Sequence, residues 1–243
     1  MKLTKNKYKV QLISGNTLNI TGRGDAACWD NAEVLNQFVS PWSSDKADEI
    51  NFKALWDGTY LFFCFKVFDS SVYINTFDDT FTSIGESDRV EIFFRKDDKL
   101  SPYYCLEIDP SARIMDFKAF PDKQFDFDWD WPKEDLIVKS SIADDSFTVE
   151  GAISIKSLER LDLISDDGVI EAGIFRAKYN KKDENSSYEP TWITWINPNT
   201  ELPNFHISDS FGELLLLQVN HKESENTIVK STETSCIAQE IEK

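Results

Sequence analysis

The stretch Ile50-Asn51-Phe52-Lys53-Ala54-Leu55-Trp56-Asp57-Gly58-Thr59-Tyr60-Leu61-Phe62-Phe63-Cys64-Phe65-Lys66-Val67-Phe68 decides the fold. Two apolar runs flank Asp57-Gly58, a pair that supplies the positive φ angles of a tight type I′ turn and so predicts a β-hairpin. The second run is apolar at nearly every position. A strand of that kind is covered on both faces, as in the centre of a sandwich.

Working outward, the same signals recur along the chain. Tyr8 to Ile13 alternates at period two, the pattern of a half-buried strand. Arg89 to Arg95, closed by the polar turn Lys96-Asp97-Asp98-Lys99, leads into Tyr103 to Ile108, and Arg113 to Phe120 follows. Ser146 to Ile155, Val169 to Tyr179 and Phe211 to Val219 complete the set. Trp29 to Phe38 is expected to make one or two helical turns, capped by a residue such as Asp25. Roughly ten strands without a sustained helical period predict an all-β fold, an antiparallel β-sandwich with one or two short helices. No linker composition interrupts residues 1–219, which read as one domain. Residues 220–243 read as a flexible polar tail.

Of the 243 residues, 41% are apolar and 13% aromatic, enough to build a real core. No apolar run approaches the roughly 20 residues that span a bilayer. The N-terminus carries lysines but no apolar segment behind them, so the chain as it stands reads as cytoplasmic; a removed leader would make it secreted or periplasmic. A net charge of −17 disfavours nucleic acid and anionic membranes as partners and suits neutral ligands or cations. Cys28, Cys64, Cys105 and Cys236 are scattered, which argues against a zinc site and against a disulfide framework. Cys64 and Cys105 are expected as buried thiols. The oligomeric state is not legible.

Phosphate-binding glycine loops, nucleophile elbows and zinc-helix motifs are absent. The aromatic residues are more informative. Sugars present apolar C–H faces ringed by hydroxyls, and flat indoles beside polar groups suit them. Trp42, Trp129, Trp131, Trp192 and Trp195 lie in polar, loop-like surroundings, whereas Trp29 and Trp56 read as core. Any single one of these loop tryptophans reads more readily as a cap on the end of a sandwich. In Phe125-Asp126-Phe127-Asp128-Trp129-Asp130-Trp131, aromatic and acidic residues alternate. The acids could attract Ca²⁺ or could simply form a solvated edge that resists aggregation.

Taken in order, these motifs resemble the family 9 carbohydrate-binding module and the wider group of family-9-like domains. Trp29-Asp30-Asn31-Ala32 is similar to the opening Trp-x-x-Ala element, and Asp88-Arg89-Val90-Glu91-Ile92-Phe93 to an Asp-x-Val-Glu-x-Phe strand. Tyr103 to Ile108 and Val149 to Ile153 follow in the family's order. Thr194-Trp195-Ile196-Asn197-Pro198, Asn204-Phe205-His206 and Phe211-Gly212 resemble the closing block. The resemblance spans about Trp29 to Leu217. It implies an antiparallel sandwich, non-catalytic binding of sugar chain ends between two Trp rings, and structural calcium, with no cofactor required.

Matched motif to motif, the resemblance implies that Trp195 is one wall of the clasp. It also implies that Glu91 and, on spacing, Arg113 bind hydroxyls, with Trp192 and Asn197 beside them. The loop Phe81 to Ser87 has no Trp for the second wall; Phe81, Trp129 or Trp131 are the substitutes at hand. Two other readings stay open: a carbohydrate-active hydrolase using Glu91 and Glu107, and a scaffold domain that has lost its sugar site.

Overall fold

Strand β1 (Lys7–Leu12) belongs to two sheets at once. Its first half pairs in parallel with β12 (Gly212–Leu216), and its second half pairs in parallel with β2 (Ile50–Trp56). The computed structural model describes residues 6–14, 18–44, 47, 49–182 and 188–218. The remaining strands are β3 (Tyr60–Phe68), β4 (Arg89–Arg95), β5 (Tyr103–Ile108), β6 (Ile114–Phe120), β7 (Gln124–Asp126), β8 (Leu136–Ala143), β9 (Ser146–Ser154), β10 (Val169–Lys181) and β11 (Tyr188–Thr194). Their order is β7-β6-β5-β4-β10-β12-β1-β2-β3-β9-β8, with β11 on β10. All pairings except those of β1 are antiparallel, so the all-β sandwich holds, with one parallel strand at the seam.

The sheet curls about that seam until its halves share one core. Phe52, Phe63, Phe65 and Val149 come from the β1-β2-β3-β9-β8 half, and Ile92, Phe94, Leu106, Ile174 and Leu214 from the other. Both outer faces are also covered. Ile20 and Trp29 lie over Leu55, Phe62 and Cys64. On the opposite side Phe205, Phe211 and Ile84 lie over Phe93, Cys105 and Phe175. This double cover explains why the second run of the hairpin is apolar at every position but Lys66 and why all of β4 is buried. Cys64 and Cys105 are buried free thiols.

Local chemistry sets the details. At the hairpin only Gly58 takes a positive φ, +85°, and Asp57 Oδ1 accepts from the N–H groups of Thr59 and Tyr60 at 2.8 Å. The turn is therefore not type I′, which needs positive φ at both central residues. Helices α1 (Phe81–Gly85) and α2 (Ile155–Arg160) are capped by Thr80 and Ser154, whose side chains accept from the backbone N–H three residues on. The turn expected at Trp29 is a 3₁₀ segment, Ala27–Asn31. Asp25 does not cap it but bonds Thr21 and Arg23. Among the described residues no helix is long and apolar enough to cross a membrane. The tail expected from Asn220 onward lies outside the described residues.

Candidate functional site

The outer face of the β4-β5-β10 sheet carries charge where an apolar surface would pack. Along β4, Arg89 and Glu91 point to the side opposite Val90 and Ile92, and Glu91 stands directly across from Glu107 on β5. Arg89 Nε lies 3.0 Å from Glu91 Oε1 and 2.5 Å from Glu107 Oε2. Its Nη1 donates to the Gly85 carbonyl at 2.6 Å, which ties α1 to the sheet. One guanidinium thus serves two buried carboxylates. Burial pushes both carboxyl groups up from the ordinary range, and for Glu91 the neighbouring Glu107 charge adds to it while Arg89 opposes.

Trp192 reaches this cluster from β11. The ladder of β10 is filled by β12 along Val169–Ala172 and by β11 along Phe175–Lys181, which sets Trp192 opposite Ala177. Its ring is half-buried, 5.3 Å from the Arg89 guanidinium and 5.2 Å from the Phe205 ring. Arg89, Glu107, Lys123, Trp192, Asn204 and His206 line an open cleft of about 110 Å³. Asn204 Oδ1 is buried there without a hydrogen-bond partner among the described residues, an acceptor set beside a cavity. Burial, with the Lys123 and Arg89 charges behind it, lowers the His206 pKa to about 3, so the imidazole is neutral; its Nδ1 is 2.9 Å from the Tyr103 hydroxyl.

The residues expected at the site divide. Trp195, expected as an open wall, is only 5% exposed and lies in the core between the sheets; its ring packs so tightly on Gly212 that a Cβ there would meet it at 2.6 Å. Residues alternate in direction along this segment, so Ile193 and Trp195 turn inward while Trp192 turns out. Glu91 is 1% exposed, beneath Arg89 rather than at the surface, and cannot grip a hydroxyl directly. Arg113 is committed to the protein: it bonds Asp109, the Asp78 and Asn75 carbonyls and Ser87, pinning residues 75–79 to the β5–β6 turn. Asn197 is exposed, accepts from Asn199 N–H at 2.9 Å, and does not line the cleft. Trp131 is core and Trp129 packs on Tyr104, so neither is a second wall on this face; Phe81 does lie on it. Arg89, Lys123 and Asn204 were missed as site residues. The in-phase charges Arg89, Glu91 and Glu107 inside apolar strands were the available signal.

Among the described residues no group of three or more His, Cys, Asp or Glu is arranged to hold a metal. Buried carboxylates have protein partners instead: Asp69 pairs with Arg176 and with Lys178 at 3.0 Å, and Asp116 accepts from Trp131 N–H at 2.6 Å.

Solved structures share this architecture. A carbohydrate-binding protein of Bacteroides uniformis ATCC 8492, so described provisionally, is 18% identical, with a TM-score of 0.65 over 88% of this chain and 100% of its own. A family 9 carbohydrate-binding module of Caldicellulosiruptor kristjanssonii, in complex with glucose, is 17% identical, with a TM-score of 0.57 over 89% of this chain and 98% of that one. A structure of such a module from the same organism with cellotriose gives 17% and 0.59, over 89% and 97%. No curated protein matches the chain. The family model described as carbohydrate family 9 binding domain-like matches residues 20–219, and the chain therefore belongs to that family.

Proposed function

We propose that this domain binds an uncharged carbohydrate in the cleft beside Trp192 and performs no chemistry on it. The observation that carries this reading is the meeting of a half-buried indole, the Arg89 guanidinium and the unpartnered Asn204 acceptor around one opening. A pyranose face would lie on the indole, where an aromatic platform buries C–H surface at little rotamer cost. Arg89 and Lys123 would donate to hydroxyl oxygens. Asn204 Oδ1 would accept from a hydroxyl hydrogen, and neutral His206 adds no competing charge. Family membership and the sugar complexes of the two Caldicellulosiruptor structures support the same ligand class.

Glu91 and Glu107 fit a hydrolase poorly. Glycoside hydrolysis uses two carboxyl groups flanking the bond to be cleaved, whereas these two clamp a single guanidinium from below.

Titration with glucose, xylose, mannose and their neutral β-linked trisaccharides, cellotriose, xylotriose and mannotriose, tests the proposal. At least one sugar should bind the parent, and Trp192→Ala should weaken it by about 1–3 kcal/mol, roughly fivefold to 150-fold. A parent that binds none of the panel, or a Trp192→Ala variant with unchanged affinity, overturns it.

A further inference from the structure

Four phenylalanines continue the lining of the cleft along the outer face of the same sheet. His206, at the cleft, has Phe125 of β7 5.1 Å away, and Phe125 and Phe127 both contact Phe117 beneath them, at 5.1 and 4.9 Å. Phe81 of α1 closes the group from the side, 5.7 Å from Phe127. Trp192 and His206 both line the cleft, over the buried ring of Phe205 at 5.2 and 5.0 Å, and Phe125 follows His206 at 5.1 Å.

The far end of this lining is open. Phe125 is 37% and Phe127 46% exposed, although a phenylalanine on a packed sheet face is ordinarily covered. The acids between and after them face differently: Asp126 pairs with Lys118 at 2.8 Å, and Asp128 stands exposed next to Phe127. Phe125 and Phe127 stand edge to face at 67° and form an apolar ridge. Such a ridge edged by a carboxylate has the composition that suits a sugar, with C–H groups on the rings and hydroxyls on the acid. The chain's charge of −17 sets a polyanionic glycan aside.

We infer that Phe125 and Phe127 form a second carbohydrate subsite, so that the ligand is an uncharged oligosaccharide, longer than a single sugar, extending from Trp192 over His206 to the β7 edge. This rests on the cleft beside Trp192 holding the first sugar. Phe125 is 5.1 Å beyond His206 at the cleft, and Phe127 a further 5.9 Å beyond Phe125, so a single sugar on the Trp192 indole does not reach Phe127.

Calorimetry on the full chain compares the parent with Phe127→Ala and with Phe125→Ala/Phe127→Ala, using each monosaccharide of the panel and its trisaccharide. For the sugar the parent binds, the trisaccharide should bind the parent more tightly than the monosaccharide. The double variant should lose about tenfold for the trisaccharide and stay within about twofold for the monosaccharide. Phe127→Ala, at the more exposed ring, should show a smaller loss of the same kind and serves if the double variant does not fold.

Parent binding with no difference between trisaccharide and monosaccharide, or equal losses for both sugars in the variants, overturns the second subsite and leaves the Trp192 cleft standing. A parent that binds no sugar overturns the cleft itself. Should the ridge instead hold a second copy of the chain, light scattering would show a dimer that Phe127→Ala dissolves, with trisaccharide affinity unchanged; that too overturns the inference.

Discussion

Arg89, between Glu91 and Glu107, is where the charge balance of the molecule is tightest. Two carboxylates and one guanidinium, all buried, leave one negative charge in excess, and the raised pKa values of both acids express the tendency to hold a proton. An acid whose folded pKa lies above its unfolded value stabilises the fold fully below the unfolded pKa, and this contribution is lost as pH rises through the folded pKa. Glu91→Gln supplies a permanently neutral group of the same shape. Denaturant unfolding from pH 5 to pH 8 should therefore show the variant gaining on the parent as pH rises; a gap that shrinks over that range contradicts the charge balance. Removing the cation acts in the opposite sense. Arg89→Met leaves two facing carboxylates without a partner and should cost about 3–5 kcal/mol.

At the same scale Trp195 marks where reading residues from the sequence failed. Its surroundings, Thr194 and Asn197-Pro198, are polar and turn-like, yet the ring is held in the core. Trp195→Ala should cost about 3–5 kcal/mol of stability, as for other large core truncations, measured by chemical denaturation. A loss below about 1 kcal/mol would contradict its place in the core.

Among the elements, β11 decides the site. Pro190 and the polar residues around it make the segment look like a loop, because proline cannot donate to a ladder on its N–H side. The structure accommodates it on a strand paired with β10, opposite Tyr179, whose other edge is bridged at Thr194, to Val39. Once 188–194 is a strand, alternation sends Trp192 outward, so the missing knowledge was the element and not the residue. β8 was missed for a related reason: it is an edge strand with a weak, half-exposed pattern. The central strands were legible since both their faces are covered, and that need shows directly in composition.

One buried acid gathers the segment over the opposite face, beside bonds from Ser141 to the Gly22 carbonyl and from Lys53 to the Trp29 carbonyl. Buried Glu150 of β9 accepts from the N–H groups of Thr21 and Gly22 at 2.9 and 2.7 Å and from Trp29 Nε1 at 2.8 Å. Gly22 takes φ +84° and would place a Cβ 2.6 Å from Ser140 N, so the segment passes close over β8. Glu150→Ala leaves several donors unsatisfied and should destabilise the fold by about 3 kcal/mol. Hydrogen exchange at residues 20–29 should rise with it; unchanged protection there would contradict the anchoring role.

For the whole molecule, the sandwich needed only period, turns and apolar content, which are local properties. The cleft needed three elements distant in sequence: the β4–β5 charges, β11, and the loop at 203–206. Only their register brings Trp192, Arg89 and Asn204 together, and register is not written in any one segment. The parallel seam at β1 was hidden for the same reason, since pairing with both β12 and β2 joins the two ends of the chain's order.

The central claim is that the outer face of the β4-β5-β10 sheet, at Trp192, is where a sugar lies. A crystal structure of the protein with the tightest-binding trisaccharide of the panel tests it most directly. The account predicts a sugar ring stacked on the Trp192 indole with hydroxyls on Arg89 and Asn204. A trisaccharide bound on any other surface, with the Trp192 cleft empty, would contradict it.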